Sequence, residues 1–198
     1  EKGHPQLMSL ARPMTYGLFF SLTIAFAALF YLFAVNDFSV QYVVNNSNSS
    51  LSIYYRLSAV WGSHEGSLLL WIWLLTLWGA AVALFSKHLP QEAVARVLGI
   101  MGIISIGFLL FVLFTSNPFT RTFPDFPVDG RELNPMLQDV GLIFHPPLLY
   151  MGYVGFSVAF AFAIASLMTG KLDSAWARWS RPWTMAAWVF LTLGIVLG

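Results

Sequence analysis

The sequence D-V-G-L-I-F-H-P-P-L-L-Y-M-G-Y-V-G, residues 139–155, marks the change from a polar stretch to a long apolar run. A polar stretch precedes it, and after Pro146 and Pro147 the chain is apolar for about twenty residues, the length that crosses a bilayer. Two prolines fit the first turn of a helix, because the N–H groups that they lack have no helical partner there. We therefore predict a membrane helix over residues 146–168, with His145 at its mouth.

His145 has the properties of a metal ligand at that position. A residue before proline is pushed toward extended geometry, so the imidazole projects from the predicted cap. The positive end of the helix dipole favours the neutral ring, whose lone pair can bind a metal, and this suits an axial ligand of haem iron. A capping or interfacial histidine explains the spacing equally well.

The composition is that of an integral membrane protein. Of the 198 residues, 58% are hydrophobic and 10% are charged, whereas soluble domains have roughly 25% charged residues. We expect the lipid bilayer, and no nucleic acid, as the partner of this surface. The chain contains no cysteine, so any thiol in its reaction belongs to a partner protein.

The apolar runs predict an all-α integral membrane protein, with about five transmembrane helices of a larger bundle and two long loops. The last predicted helix reaches Gly198 without a polar cap, so we expect residues 1–198 to be a single membrane domain and an internal fragment. The helices are predicted at about 14–35, 66–85, 93–116, 146–168 and 182–198, and the loops at 36–65 and 117–145.

The basic residues divide unequally between the two sides of the predicted bundle. Seven of the ten fall on one side: Lys2, Arg12, Lys87, Arg96, Lys171, Arg178 and Arg181. The other side has Arg56, Arg121 and Arg131. By the positive-inside rule we expect the first set to be cytoplasmic and both long loops to face the periplasm of a bacterium, with the chain in the inner membrane.

A second candidate site lies in W-G-S-H-E-G-S-L-L-L-W, residues 61–71. Its two tryptophans and one histidine form a denser cluster than an aromatic belt needs, and Gly62 and Gly66 would let a flat ligand approach the backbone. For Trp73 and Trp78 we favour the simpler explanation, a belt at the membrane surface and a lipid-facing helix. The candidate platform for a porphyrin or an unfolded apolar peptide comprises Trp61, Gly62, His64, Gly66 and Trp71.

Four longer phrases carry a resemblance to a known family. They are W-G-S-H-E-G-S-L-L-L-W, F-T-S-N-P-F-T-R, L-N-P-M-L-Q-D-V-G-L-I-F-H-P-P-L-L-Y-M-G-Y-V-G and S-R-P-W-T-M-A-A-W-V-F-L-T-L-G-I. In this order they resemble the CcmF-type subunits of bacterial cytochrome c haem lyase, or their close paralogues dedicated to nitrite-reductase cytochromes. In that family two periplasmic histidines flank a tryptophan-rich segment, the WWD domain, and hold haem. The H-P-P-L-L-Y-M-G-Y match puts the first of these at His145.

The resemblance also implies a reaction and its partners. A periplasmic haem chaperone delivers haem, and the haem lyase, acting within a complex, joins its vinyl groups to the two thiols of a C-x-x-C-H apocytochrome c. Thiol-handling subunits present that apocytochrome, and no acid–base catalytic residue is required. The second periplasmic histidine, the WWD segment and a further b-type haem would lie beyond Gly198, with an earlier membrane helix before residue 1. We therefore expect the chain alone to be inactive.

Two other classes of protein are weighed against this one. A transporter of haem or another small solute would need polar residues or broken helices at mid-membrane, and the predicted spans have none. A scaffold that only docks maturation partners would bind no haem. Haem absorbance that is lost on changing His145 would separate a haem-binding protein from such a scaffold.

Overall fold

A computed structural model describes residues 5–170 and 174–198 of the chain. Lys2 and Lys171, which contribute to the count of basic residues, lie outside this part. The described residues are mostly helical, which confirms the predicted all-α class, and short 3₁₀ helices occur at Ala59–Trp61 and Pro135–Leu137. The α-helices are α1 (Pro5–Ala34), α2 (Gln41–Asn46), α3 (Ile53–Ser58), α4 (His64–Phe85), α5 (Gln91–Phe114), α6 (Val140–Thr169) and α7 (Ser174–Val196).

Four of these helices, α1, α4, α5 and α6, are long and apolar enough to cross a membrane, counted over the described residues. This agrees with the expected multi-pass membrane protein. The fifth predicted span, 182–198, is not among the four. It belongs to α7, which begins at Ser174 and carries Arg178 and Arg181 in its first half. These guanidinium groups contribute to a mean hydropathy of α7 that is lower than that of the other long helices.

The predicted helix starts are too late, because helical hydrogen bonding continues into the polar flanks of the apolar runs. Helix α1 begins at Pro5 rather than residue 14, with Pro13 inside it. Helices α4 and α5 begin at His64 and Gln91 rather than at 66 and 93. An apolar run marks the part of a helix that meets hydrocarbon, not the whole helix.

The difference at α6 changes the interpretation of the central motif. Asp139 caps the helix, and its side chain accepts a hydrogen bond of 2.6 Å from the N–H of Gly141. Helix α6 therefore begins at Val140, and Pro146 and Pro147 lie inside it. The prediction that the two prolines occupy the first turn is wrong, because the sequence before them contains its own cap.

The two polar stretches predicted as loops fold against each other on one side of the bundle, called the loop side below. Residues 35–63, the first polar segment, contain α2 and α3. Residues 115–139, the second polar segment, pair with the first through backbone bonds from Gln41 N–H to Thr120 O (2.9 Å) and from Thr122 N–H to Ser39 O (3.0 Å). Residues 45–50, N-N-S-N-S-S, are only partly exposed, since Ser47 is fully buried.

Helix α6 packs most extensively on α7, and glycines allow their backbones to meet. A Cβ atom on Gly152 would lie 2.6 Å from Leu191 Cβ, and one on Gly194 would lie 2.6 Å from Leu149 Cα. Real Cβ atoms do not approach other atoms so closely, so each position requires glycine. Such small-residue contacts are the usual way in which membrane helices approach each other. A Cβ atom on Gly155 would likewise lie 2.8 Å from both the Ala187 Cβ and the Trp78 Cζ2 atoms.

Asp129 links the two polar segments, and its replacement tests their packing. Its carboxylate accepts hydrogen bonds from the Ser49 N–H (2.9 Å) and the Ser49 hydroxyl (2.5 Å). These bonds, the hydroxyl first, lower the pKa of Asp129. The link is therefore complete above the ordinary carboxyl pKa and is lost as the pH falls through the lowered value. We expect Asp129→Asn to speed amide hydrogen exchange at residues 47–51 at neutral pH.

Asp125→Asn is the matched control, because Asp125 is an exposed acid of the same segment that makes none of these bonds. Exchange measured by mass spectrometry should be unchanged in that variant. Equal exchange in both variants and the parent protein would mean that Asp129 does not hold the segments together.

Candidate functional site

The two prolines inside α6 remove two helical hydrogen bonds. In an α-helix the N–H of each residue bonds the carbonyl four residues earlier, so Pro146 and Pro147 leave the carbonyls of Leu142 and Ile143 without that donor. The indole Nε1–H of Trp61 donates to the Leu142 oxygen at 2.7 Å. A side chain from the 3₁₀ helix before α4 therefore replaces the missing amide and fixes the loop-side end of α6.

His145 lies in the second turn of α6, not at a helix mouth. The helix dipole acts mainly in the first turn, so the expected electrostatic reason for a neutral ring does not apply. Its Nδ1 atom lies 2.7 Å from the carbonyl oxygen of Gly194 in α7. Because a carbonyl only accepts, Nδ1 carries the hydrogen, and in the neutral ring Nε2 keeps its lone pair. The Gly194 carbonyl of the neighbouring helix α7 therefore favours the tautomer whose Nε2 atom is free to bind a metal.

The His145 ring lies against two glycines, Gly194 in α7 and Gly198 after the end of that helix. The side chain is half-buried, and a Cβ atom on Gly198 would lie 2.9 Å from Nε2. Among the described residues no group of three His, Asp or Glu side chains could hold a metal ion. A lone imidazole of this kind suits an axial ligand, because a porphyrin supplies the other donors to its iron.

His64 and Trp71 are brought together, as the candidate platform requires. They line a groove of about 730 Å³ between α4, α5 and α6 on the loop side. His64 begins α4, its side chain is 70% exposed, and its Nδ1 lies 2.9 Å from the Ser116 hydroxyl. Trp71 packs against Phe108. The rest of the lining includes Ser67, Phe111, Thr115, Tyr150 and Tyr153. The groove thus has a polar rim and aromatic walls.

Trp61 does not belong to this groove. It lines a separate apolar groove of about 360 Å³ with Phe30, Trp73 and Pro147. The structure therefore divides the predicted platform in two. His145 lines neither groove, although Trp61 bonds a carbonyl one helical turn before it.

Protein atoms lie close to the two glycines of the candidate platform, on the side where a Cβ atom would stand. A Cβ atom on Gly66 would lie 2.6 Å from the Tyr42 hydroxyl oxygen, and it would overlap the Val60 carbonyl oxygen. At Gly62 it would lie 3.3 Å from both the Ala59 oxygen and the Leu133 side chain. The space beside Gly66 is therefore filled by protein, contrary to the expectation that a flat ligand approaches the backbone there, whereas Gly62 is half-buried. Gly66 is required because the first polar segment packs against the start of α4.

Trp73 and Trp78 are not simple belt residues. The Trp73 indole donates to Thr23 Oγ1 in α1 at 3.0 Å, and the Trp78 indole donates to the Met151 carbonyl in α6 at 3.0 Å. Trp78 is also buried. Sequence reasoning missed these helix-to-helix bonds and the partnership of His145 with Gly194. The tandem prolines could have indicated that Leu142 needs an outside donor, but they do not identify Trp61 as that donor.

The sequence of the chain matches a known protein family. The family described as "Cytochrome C assembly protein" matches residues 61–198. The chain is 91% identical over 198 residues to the cytochrome c-type biogenesis protein CcmF of Haemophilus influenzae, covering 100% of this chain and 31% of that protein. It is 48% identical over 197 residues to the cytochrome c-type biogenesis protein NrfE of the same organism, again covering 100% of this chain and 31% of that protein.

A solved structure has the same fold. The protein titled "Cytochrome c Heme Lyase CcmF" superposes with a TM-score of 0.83 at 30% sequence identity, covering 98% of this chain and 30% of that one. The chain thus spans 31% of the length of both curated relatives. It is more similar to the CcmF protein than to the NrfE protein of H. influenzae.

Replacing Trp61 with phenylalanine tests the bond at the proline pair. The change keeps an aromatic ring against Phe30, whose centroid lies 5.8 Å away, but removes the donor to Leu142. An unsatisfied buried carbonyl costs about 1–3 kcal/mol. We expect Trp61→Phe to lower the thermal stability of the detergent-solubilised full-length protein and to speed amide exchange in the first turns of α6.

Trp71→Phe is the matched control. The Trp71 indole N–H makes no hydrogen bond with a described residue, so this variant should leave stability and exchange in α6 unchanged. If both variants lost stability to the same extent, ring size rather than the hydrogen bond would explain the effect.

Proposed function

The chain belongs to the cytochrome c assembly protein family, and we propose that it is the haem-handling part of a cytochrome c maturation protein in the bacterial inner membrane. In this role it holds periplasmic haem for covalent thioether attachment to C-x-x-C-H apocytochromes, as a haem lyase within a complex. The family match to residues 61–198 and the likeness to a solved cytochrome c haem lyase support this proposal.

The observation that carries the proposal is the hydrogen bond of 2.7 Å between His145 Nδ1 and the Gly194 carbonyl oxygen. A histidine that binds a metal generally donates its other ring N–H to a carboxylate or a backbone carbonyl, which fixes the tautomer and makes the ligand nitrogen more basic. His145 has this arrangement, with the Gly194 carbonyl as the acceptor. Its Nε2 atom is the proposed axial ligand of the haem iron.

The proposed reaction requires little acid–base chemistry from this chain. Each cysteine S–H of the apocytochrome adds across one haem vinyl group, so that sulfur bonds one carbon and the hydrogen goes to the other. The chain has no cysteine that would compete for the vinyl groups. Its contribution is to hold the ring in one orientation while the thiols approach, and such positioning can lower a barrier substantially.

The groove lined by His64, Trp71, Tyr150 and Tyr153 is the proposed contact surface for the porphyrin edge or for an apolar peptide. Aromatic walls provide a large apolar area, while hydroxyl and imidazole groups at the rim can bond a carboxylate. Trp61, Gly62 and Gly66 have supporting roles in this proposal, because they hold α6 and the start of α4 in place.

The remaining components are proposed from the family likeness. They are a periplasmic haem chaperone that delivers haem, thiol-handling subunits that present apocytochrome c, and a second periplasmic histidine beside a WWD segment beyond Gly198. A further b-type haem also belongs to that part of the protein. The chain alone, with one of the two ligands, is proposed to be inactive.

His145→Ala in the full-length protein tests the proposed ligand. Because the iron loses an axial donor, we expect cytochrome c maturation to fall to a few per cent or less while the protein still inserts in the membrane. Added imidazole should restore part of the activity, since a small ligand can occupy the space left by the side chain. The measurements are haem staining of covalent cytochrome c and the absorbance of haem in the purified protein.

His64→Ala is the matched control, as another histidine on the loop side that has no proposed role as a ligand. It should reduce maturation only mildly. Normal maturation and normal haem absorbance in the His145→Ala protein would overturn the proposal. A severe defect in the His64→Ala protein, with a normal His145→Ala protein, would move the ligand to His64.

The proposed topology can be tested with single cysteines, because the chain has none of its own. Val128 is fully exposed on the loop side, and Lys87 lies in the α4–α5 turn at the opposite end. By the positive-inside rule, Val128→Cys should react with a membrane-impermeant thiol reagent in cells with a permeable outer membrane. Lys87→Cys should react only after the inner membrane is opened. The reverse pattern would place His145 on the cytoplasmic side.

A further inference from the structure

A groove of about 480 Å³ lies at the end of the bundle opposite the loop side, called the basic side below. It is formed by the end of α4, the α4–α5 turn and the first half of α7. Trp78, Phe85 and Ala186 form its apolar part, and Arg178, Trp179 and Trp183 form its edge together with His88. Trp183 is held by an edge-to-face contact with Trp78, at a centroid distance of 6.2 Å.

The polar groups of this groove are suited to an anion. Among the residues that the structure describes, its lining contains a guanidinium and an imidazole but no carboxylate. Arg178 is exposed and forms no ion pair with any residue of the described ranges, whereas Arg96 on the same side pairs with Glu92 at 2.5 Å. The indole N–H groups of Trp179 and Trp183 likewise have no acceptor among the described residues. Several donors therefore line the same groove without an acceptor among the described residues.

The apolar groups of the groove indicate that the anion has a hydrocarbon part. Phe85 is 67% exposed and Leu84 is 47% exposed, so the apolar end of the groove continues onto the outward face of α4. Tryptophans at this depth are typical of the boundary between headgroups and acyl chains. Basic pockets between membrane helices on the side rich in Lys and Arg are suited to acidic phospholipid headgroups.

We propose that this groove binds one acidic phospholipid from the leaflet on the basic side. Its phosphate accepts hydrogen bonds from the Arg178 guanidinium and from the indole N–H groups of Trp179 and Trp183. One acyl chain lies along Phe85 and Trp78. The lipid thereby joins the α4–α5 turn to α7, the helix that also supplies the Gly194 carbonyl to His145. The site is independent of the proposed haem chemistry.

The test uses the full-length protein in nanodiscs that contain equal amounts of phosphatidylglycerol and phosphatidylcholine, followed by native mass spectrometry of retained lipids. We expect the parent protein to retain one phosphatidylglycerol and no phosphatidylcholine. Arg178→Gln should reduce phosphatidylglycerol retention about tenfold, because it removes a charge-assisted hydrogen bond. Arg131→Gln is the matched control, an exposed arginine on the loop side, and should retain lipid normally.

A second variant tests the acyl-chain part without changing the charge. Ala186→Trp fills the apolar part of the groove, so it should also abolish phosphatidylglycerol retention while Arg178 is intact. Retention of phosphatidylglycerol by either variant at the parent level would overturn the proposal. So would equal retention of phosphatidylcholine, the absence of any retained lipid in the parent protein, or complete displacement by millimolar inorganic phosphate, which would indicate a site for free phosphate.

Discussion

The hydrogen bond from the Trp61 indole to the Leu142 carbonyl is the contact on which the loop-side half of the structure depends. Pro146 removes the amide that would otherwise bond this carbonyl. Near a membrane an unbonded backbone oxygen is costly, because hydrocarbon offers no donor. One indole therefore supplies a donor to one of the two carbonyls that the proline pair leaves without a helical partner. It also couples α6 to the segment that leads into α4.

The close approach of α6 and α7 has a direct consequence for His145. Gly152 and Gly194 bring the two backbones together where any side chain would collide. At such a separation the carbonyl of Gly194 is within hydrogen-bond distance of His145 Nδ1. The tautomer of the proposed ligand is thus set by helix packing, and the positive end of a helix is not needed. The same contact between α6 and α7 therefore packs the two helices and orients the His145 ring.

The polar segments on the loop side are a folded layer rather than two loops. Backbone pairing between residues 39–41 and 120–122, the ion pair of 3.4 Å between Arg121 and Asp37, and the Asp129 bonds to Ser49 hold them together. The pKa of Asp37 is lowered, first by its bond to the Ser39 hydroxyl. This layer positions Trp61 and closes over Gly66. The region proposed to contact haem and apocytochrome is therefore held in place by this folded layer.

The sequence alone determined the class of protein and four of the five predicted apolar spans, because these follow from composition and hydrophobic length. It could not place the start of α6, since Asp139 caps the helix seven residues ahead of the predicted start at residue 146. Nor could it pair His145 with Gly194 or Trp61 with Leu142. Those partners are 49 and 81 residues apart, and only the packing of separate helices decides which groups lie within hydrogen-bond distance.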